Sequence, residues 1–396
     1  MANLMLDAGA VKPQYWLDEA LTMQKKLLQG IGTMISLQDV DVDLTPKELV
    51  FQLDKMRLFH YKPMVANPVP VPLLIVYALV NRQYMMDLHQ ERSVIRTFLE
   101  QGLDVYLIDW GYPDQSDKYL AMEDYIDGYL NDAVDAIRKS SGLDKINLLG
   151  VCQGGTFSVI YSALYPGKIR NLVTMVAPID FSTNDGLLYS WSKYLKIDNL
   201  VDAFGVIPGD FMNLGFLMLK PFQLSLDKYV GIIDNLDNPD AVRDFLSMEK
   251  WIFDSPGQAG EAFRKFIKDL FQENLLVQNK MELGGRVVDL QKIDMPLLNV
   301  FAEQDHLVPP ASSRPLNDLV ASKDKEIIHF PGGHIGIFVS SSAQKKVAPA
   351  IARWLADRSA PEEKKVPGKK ESTRSKSSPV SRPATELGGM ADQTER

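Results

Sequence analysis

Cysteine, histidine and long apolar runs are the scarce features of this 396-residue chain, which has one Cys and five His. A single thiol cannot form an internal disulfide, so nothing calls for an oxidising compartment. Five scattered histidines and one cysteine make no Cys/His cluster, which argues against a structural zinc site. No stretch approaches the roughly 18 uninterrupted apolar residues of a membrane span, and no transmembrane segment is expected. The opening MANLMLDAGAVKPQYW lacks the positive start and apolar core of a secretory signal, so a cytoplasmic location is expected. Positive charge is in deficit, with 43 Lys and Arg against 51 Asp and Glu and a formal net charge of −8. That balance argues against nucleic acid as the main partner. Internal repeats are missing too.

What is present suits a globular core, with 45% hydrophobic and 24% charged residues. Short apolar runs rich in β-branched residues recur: VPVPLLIVYALV (69–80), LDVYLIDW (103–110), KINLLGV (145–151), NLVTMVAPI (171–179), PLLNVFAEQD (296–305) and KEIIHFPGGH (325–334). Helix-period segments separate them, such as VIRTFLEQG (94–102) and DYIDGYLNDAVDAIRKSSG (124–142). Apolar strands alternating with helices predict an α/β fold with a mostly parallel sheet and helices on both faces. TPKE at 45–48 has the form of a helix start, with Thr45 as N-cap and Glu48 closing a capping box.

Between 180 and 295 clear strand runs are scarce and the spacing is helical, with helix-start signals at NPDA (238–241) and DSPG (254–257). This stretch is expected to form a mainly helical cap inserted between two parts of one core, 45–179 and 296–358. Its apolar FMNLGFLMLKPF (211–222) fits either ordinary core or a substrate-facing surface. Residues 1–44 form an N-terminal segment whose 14–35 portion has amphipathic helix spacing. That helix suits packing on its own domain or contact with a partner or hydrophobic surface. The stretch 359–396, rich in Pro, Ser and Lys, is expected to be disordered, either inert or a basic tether.

GVCQGG (150–155) places the lone Cys152 between an apolar strand and an apolar helix. This is the G-x-C-x-G form of a nucleophile elbow, with Cys in the usual place of Ser, and it points to an α/β-hydrolase fold. Gly150, Gly154 and Gly155 let the strand and helix backbones approach closely. The thiol stands at a helix N-terminus, where the dipole and free N–H groups favour a thiolate. A buried, inert cysteine is the plainer alternative. In this architecture an acid and then a histidine follow the nucleophile. Asp305 closes a strand beyond the cap and His334 follows the last strand. The other histidines fit less well: His60 and His89 precede the elbow, His306 adjoins Asp305, and His329 lies inside a strand. The expected oxyanion hole uses the backbone N–H of Gln153 and one from the loop after the first long apolar strand, assigned to Val80.

With these residues in place, the chain resembles the polyhydroxyalkanoate synthases, in particular the short catalytic subunit of the two-subunit (class III) type. The likeness runs over about residues 15–358 and includes PLLIVYALVNR, DVYLIDWGYPDQ, NLLGVCQGG, MEKWIFDSP, DHLVPP and FPGGHIGI. It implies that Cys152, Asp305 and His334 are the catalytic residues. It also implies polymerisation of (R)-3-hydroxyacyl-CoA, foremost 3-hydroxybutyryl-CoA, with coenzyme A as part of the substrate and leaving group and no separate cofactor. Further implications are work at the surface of a polyester granule and a second, non-catalytic (PhaE-type) subunit, with a homodimer left open. The basic tail extends beyond what that subunit leads one to expect.

A thiol nucleophile suits such chemistry. Loading an acyl group from coenzyme A onto Cys152 exchanges one thioester for another, and attack by a 3-hydroxyl then gives the more stable oxygen ester. Two rivals share the residues: a cysteine-dependent hydrolase (thioesterase, lactone hydrolase or polyester depolymerase) and a non-catalytic granule-coat protein that keeps the fold.

Overall fold

The computed structural model describes residues 40–219, 228–233 and 235–359. The expected N-terminal helix at 14–35 and all but the first residue of the expected tail 359–396 lie outside the described residues; Ser359 itself is buried, its hydroxyl accepting from Asn147 Nδ2 at 2.9 Å. An eight-stranded sheet is built from β1 (Lys47–Leu53), β2 (Met56–Tyr61), β3 (Leu73–Val76), β4 (Val105–Asp109), β5 (Ile146–Val151), β6 (Ile169–Met175), β7 (Leu297–Ala302) and β8 (Lys325–Phe330). Its spatial order is β1-β2-β4-β3-β5-β6-β7-β8. β1 and β2 pair antiparallel, β2 pairs antiparallel with β4, and every later pairing is parallel.

The apolar runs become strands because both of their faces are covered. Leu73 and Ile75 enter one core with Val105, Leu107, Leu149 and Val151. Their neighbours Leu74 and Val76 enter another with Ile108 and Leu148. That is the period-two alternation of a strand, with apolar residues required on both sides.

The principal helices are α1 (Val94–Glu100), α2 (Asn131–Ser141), α3 (Gln153–Leu164), α4 (Leu187–Tyr194), α5 (Ile197–Phe204), α6 (Gly209–Leu219), α7 (Pro239–Phe253), α8 (Gly260–Lys265) and α9 (Ser341–Arg358). Val134 and Ile137 of α2 pack with Phe157 and Ile160 of α3 on one face. Val94 and Phe98 of α1 pack with Val347, Ile351 and Leu355 of α9 on the other. Each fully buried side chain of this kind contributes about 1.5–3 kcal/mol. Among the described residues, no helix is long and apolar enough to cross a membrane.

Two helix starts differ from expectation. TPKE leads into β1 instead of a helix: the Thr45 hydroxyl donates to Asp87 Oδ1 at 2.8 Å, and KELVFQL pairs with β2. A long-range carboxylate claims the hydroxyl that a capping box needs, and pairing supplies the backbone partners. DSPG starts no helix either; Gln258–Ala259 first pair antiparallel with Val206–Ile207, and α8 begins at Gly260. NPDA behaves as expected, since Asn238 accepts the N–H groups of Asp240 and Ala241 at the start of α7.

Between β6 and β7 the chain runs through α4 to α8. Ile197, Val201, Met212, Ala262 and Phe266 join the same core as Leu74 and Val76, whereas Trp251 of α7 joins the other core. The described residues of this segment are therefore packed onto the sheet near the carboxyl end of β3, beside the loop Tyr77–Arg82 to which Trp251 and Ser255 are hydrogen-bonded.

Candidate active site

Cys152 occupies the turn between β5 and α3 with φ 53° and ψ −123°, a backbone region costly for a residue with a Cβ. Three features over-determine it. Its N–H donates to the Met175 carbonyl at 2.9 Å. Its own carbonyl accepts the N–H of Gly155 at 2.8 Å. The glycines permit the packing: a Cβ on Gly154 would lie 2.3 Å from the Val76 carbonyl oxygen, and one on Gly150 would lie 2.5 Å from Gly155 Cα. The strand, the turn and α3 thus interlock through missing side chains, and the thiol is left half-buried at the helix N-terminus.

The partners arrive from the ends of β7 and β8. The Glu303 N–H donates to the Phe330 carbonyl and the Gln304 N–H to Gly332, each at 2.8 Å, which joins the two loops. Asp305 Oδ1 accepts the N–H groups of Leu307 at 2.9 Å and Val308 at 2.8 Å. Its other oxygen, Oδ2, accepts His334 Nδ1–H at 2.6 Å. Both side chains are buried. The Cys152 thiol lies close enough to the same imidazole to help raise its pKa. With Nδ1 engaged by Asp305, Nε2 is the ring nitrogen left for the thiol.

Burial pulls the His334 pKa down, but the Asp305 charge and hydrogen bond, followed by those of Cys152, outweigh it and raise the pKa above its ordinary value. The ring is thereby held as a cation beside the sulfur at neutral pH. A carboxylate partner alone does not mark a catalytic histidine in this chain. His60 meets Asp104 at 2.6 Å, His89 meets Asp244 at 2.7 Å and His329 meets Glu303 at 2.6 Å. His334 combines such a partner with proximity to the thiol.

Gln153 and the loop that bears Val80 are joined from different parts of the chain. The N–H of Gln153 opens α3, where helix N–H groups have no partner within the helix. Val80 lies on the Tyr77–Arg82 loop after β3, and Val80 and Cys152 flank the same core. The link between them is the Gln153 side chain, whose Oε1 accepts the Leu79 N–H at 3.0 Å. Sequence reasoning assigned Gln153 a backbone role only; its buried amide is a second one, signalled by a polar residue inside an otherwise apolar, glycine-rich turn. Tyr77, at the start of the same loop, is buried close enough to Cys152 for the sulfur's charge to act on its phenol; burial first, and that charge second, hold the phenol neutral. Among the described residues, no cluster of His, Cys, Asp or Glu could hold a metal ion.

The arrangement places a thiol, an imidazole and a carboxylate together, a set of groups able to support acyl transfer through a covalent thioester.

Two families match the chain: the alpha/beta hydrolase fold over residues 71–341 and the N-terminus of poly-beta-hydroxybutyrate polymerase (PhaC) over residues 34–98. The chain is 53% identical over 350 residues to the poly(3-hydroxyalkanoate) polymerase subunit PhaC of Allochromatium vinosum, covering 88% of this chain and 99% of that one. Identity is 50% to the subunit of the same name from Synechocystis sp., covering 86% and 93%. Among solved structures, a monoacylglycerol lipase of Paleococcus ferrophilus is similar at TM-score 0.50 and 19% identity, covering 76% of this chain and 99% of that one. A putative lipase of Sulfolobus solfataricus gives TM-score 0.50 and 17% identity, covering 80% and 98%. These two likenesses concern the fold.

Proposed function

The chain belongs to the poly(3-hydroxyalkanoate) polymerases, and from that premise we infer that Cys152 carries the growing polyester as a thioester. The enzyme is a polymerising acyltransferase that acts on acyl-CoA. The observation that supports the covalent reading is the buried His334–Asp305 hydrogen bond with the Cys152 thiol near the same imidazole.

In the loading step His334 holds the proton of the Cys152 thiol while the sulfur attacks the thioester carbonyl of a 3-hydroxyacyl-CoA. The tetrahedral oxyanion is met by the N–H groups of Gln153 and Val80. The carbon–sulfur bond to coenzyme A breaks, and the departing thiolate takes the proton from His334. In the elongation step the 3-hydroxyl of another substrate attacks the Cys152 thioester. Its proton passes to His334, or Asp305 draws it directly, and an oxygen ester forms as the carbon–sulfur bond to Cys152 breaks. The lengthened chain still ends in a coenzyme A thioester and reloads onto Cys152. A serine at the elbow would form the oxygen ester at loading and lose the activation that drives elongation.

Hydrolysis competes with each intermediate, and the segment 180–295 is assigned the role of a cap that excludes water. The four-carbon (R)-3-hydroxybutyryl unit is the preferred substrate in this reading, supported by the poly-beta-hydroxybutyrate family match. A cytoplasmic location at the surface of a polyester granule and a second, non-catalytic subunit of the PhaE type complete it. The test is turnover of 3-hydroxybutyryl-CoA with product sizing, with and without that subunit. Polymer with stoichiometric coenzyme A release supports the reading. Monomeric 3-hydroxy acid as sole product makes the chain a hydrolase instead.

A further inference from the structure

The loop that carries Val80 is anchored on both sides. Toward the elbow, Gln153 Oε1 holds the Leu79 N–H. Toward α6 and α7, the anchor is Asn81. Its backbone is left-handed at φ 57°, a conformation that asparagine adopts more readily than most residues. Its Nδ2 donates to Ser255 Oγ at 2.6 Å, with the carbonyls of Trp251 and Ile252 each at 3.4 Å. The Trp251 indole N–H donates back to the Arg82 carbonyl at 2.8 Å.

The connection continues beyond Ser255. Ser255 Oγ donates to Asn213 Oδ1 at 2.9 Å, and Asn213 Nδ2 donates to the Ile252 carbonyl at 2.8 Å. Asn213 belongs to α6 and is buried. A Cβ on Gly209, the first residue of α6, would lie 2.0 Å from the Ser255 carbonyl oxygen, so α6 and this turn are in direct backbone contact. Asp254 adds a brace, accepting the hydroxyls of Tyr84 at 3.0 Å and Tyr112 at 2.6 Å.

The peptide bearing the Val80 N–H lies between these two anchors. One is part of the nucleophile's own helix, and the other is the end of α7 with the Ser255 turn that follows it, against which α6 packs. We propose that Asn81 is a positioning residue that aims the Val80 N–H, so that the oxyanion site is complete only while the end of α7 and the Ser255 turn are seated on the loop. The proposal rests on the assignment of Cys152 as nucleophile and of Val80 as oxyanion donor. It adds a consequence: displacement of the segment that admits substrate or releases polymer also switches off attack on the carbonyl. An opened site then holds a thiol with no assembled hole, which protects the chain thioester from water.

The test separates oxyanion stabilisation from thiol reactivity. Alkylation of Cys152 by iodoacetamide forms no oxyanion, and with a single cysteine its signal is clean. Asn81→Gly keeps the left-handed backbone accessible and removes the side-chain anchor; Ser255→Ala removes the next link. Asn81→Gly is expected to lower kcat for coenzyme A release from 3-hydroxybutyryl-CoA by about 10- to 100-fold, less than or equal to loss of a whole donor. KM is expected to stay within about a factor of two, as for an interaction made only in the transition state. The alkylation rate should be unchanged, and Ser255→Ala should show a smaller fall in kcat in the same direction. Wild-type kcat in Asn81→Gly overturns the proposal, as does a parallel loss of alkylation in both variants, which marks general disruption. Failure of the underlying assignment shows elsewhere, as coenzyme A release that survives in Cys152→Ala.

Discussion

Gln153 and Leu79, 74 positions apart, are joined by a buried hydrogen bond of 3.0 Å from the Leu79 N–H to the Gln153 side-chain oxygen. The residue that follows Cys152 therefore holds the loop from which, in the proposed scheme, the second oxyanion donor comes. Gln153→Ala leaves the Leu79 N–H without its partner in a buried place, at a stability loss of about 1–3 kcal/mol. It should also lower kcat by about tenfold or more, since one donor loses its aim. Steady-state coenzyme A release and urea unfolding of the same variant check both parts; unchanged kcat with reduced stability would limit the amide to a structural role.

Cys152→Ala should fold normally and form no polymer, because the half-buried thiol contributes little packing. Intact-protein mass measurement after exposure to 3-hydroxybutyryl-CoA should show an acyl adduct on the wild type and none on the variant. Cys152→Ser should retain little synthesis, since the oxygen ester it forms is a poor acyl donor to a hydroxyl. Polymerisation at the wild-type rate by the Ser variant would contradict the thioester scheme.

Gly154→Ala tests the steric basis of the elbow. Its Cβ would sit 2.3 Å from the Val76 carbonyl oxygen and 2.5 Å from that of Tyr77, both backbone atoms that cannot rotate away. The strand end and α3 must separate, and overpacking of this kind costs about 1–3 kcal/mol or more. Gly128→Ala, where a Cβ meets nothing within 4 Å, is the control. Thermal melts should show a clear drop for the first and almost none for the second.

Much of this was readable from sequence for a physical reason. Strands covered on both faces must be continuously apolar, so Leu73–Val76 and Ile146–Val151 announce themselves. The elbow's crowding demands glycine at 150, 154 and 155, and chain order then points to Asp305 and His334. Other features leave no local trace. The β1–β2 hairpin hid behind TPKE because Thr45 is claimed by Asp87, 42 positions away. The contacts of Asn81 lie 170 to 174 positions away, and loop Asn and Ser residues are too common for their pairing to be seen before the chain is folded.

The buried His334 gives a pH signature with a definite sign. Its pKa is raised in the folded state, to about 10, from an ordinary value of 6.5. The folded protein therefore binds more protons than the unfolded chain between those values, and stability falls as pH rises through that window. The contribution is fully present below pH 6.5 and lost by the folded-state pKa. Because the thiol also interacts with the ring, the clean comparison is Cys152→Ala against Cys152→Ala with His334→Gln. Tyrosines and lysines that titrate in the same range are common to both and cancel in the difference. Urea unfolding at pH 7, 8 and 9 should show the His334-containing protein losing more stability per pH unit, by up to about 1 kcal/mol. Adding Asp305→Asn to the Cys152→Ala protein should flatten that excess, since the carboxylate is the main group that raises the imidazole. Parallel slopes with and without His334 would mean that the ring is not held as a cation, and the scheme in which it donates a proton to the departing coenzyme A would lose its support.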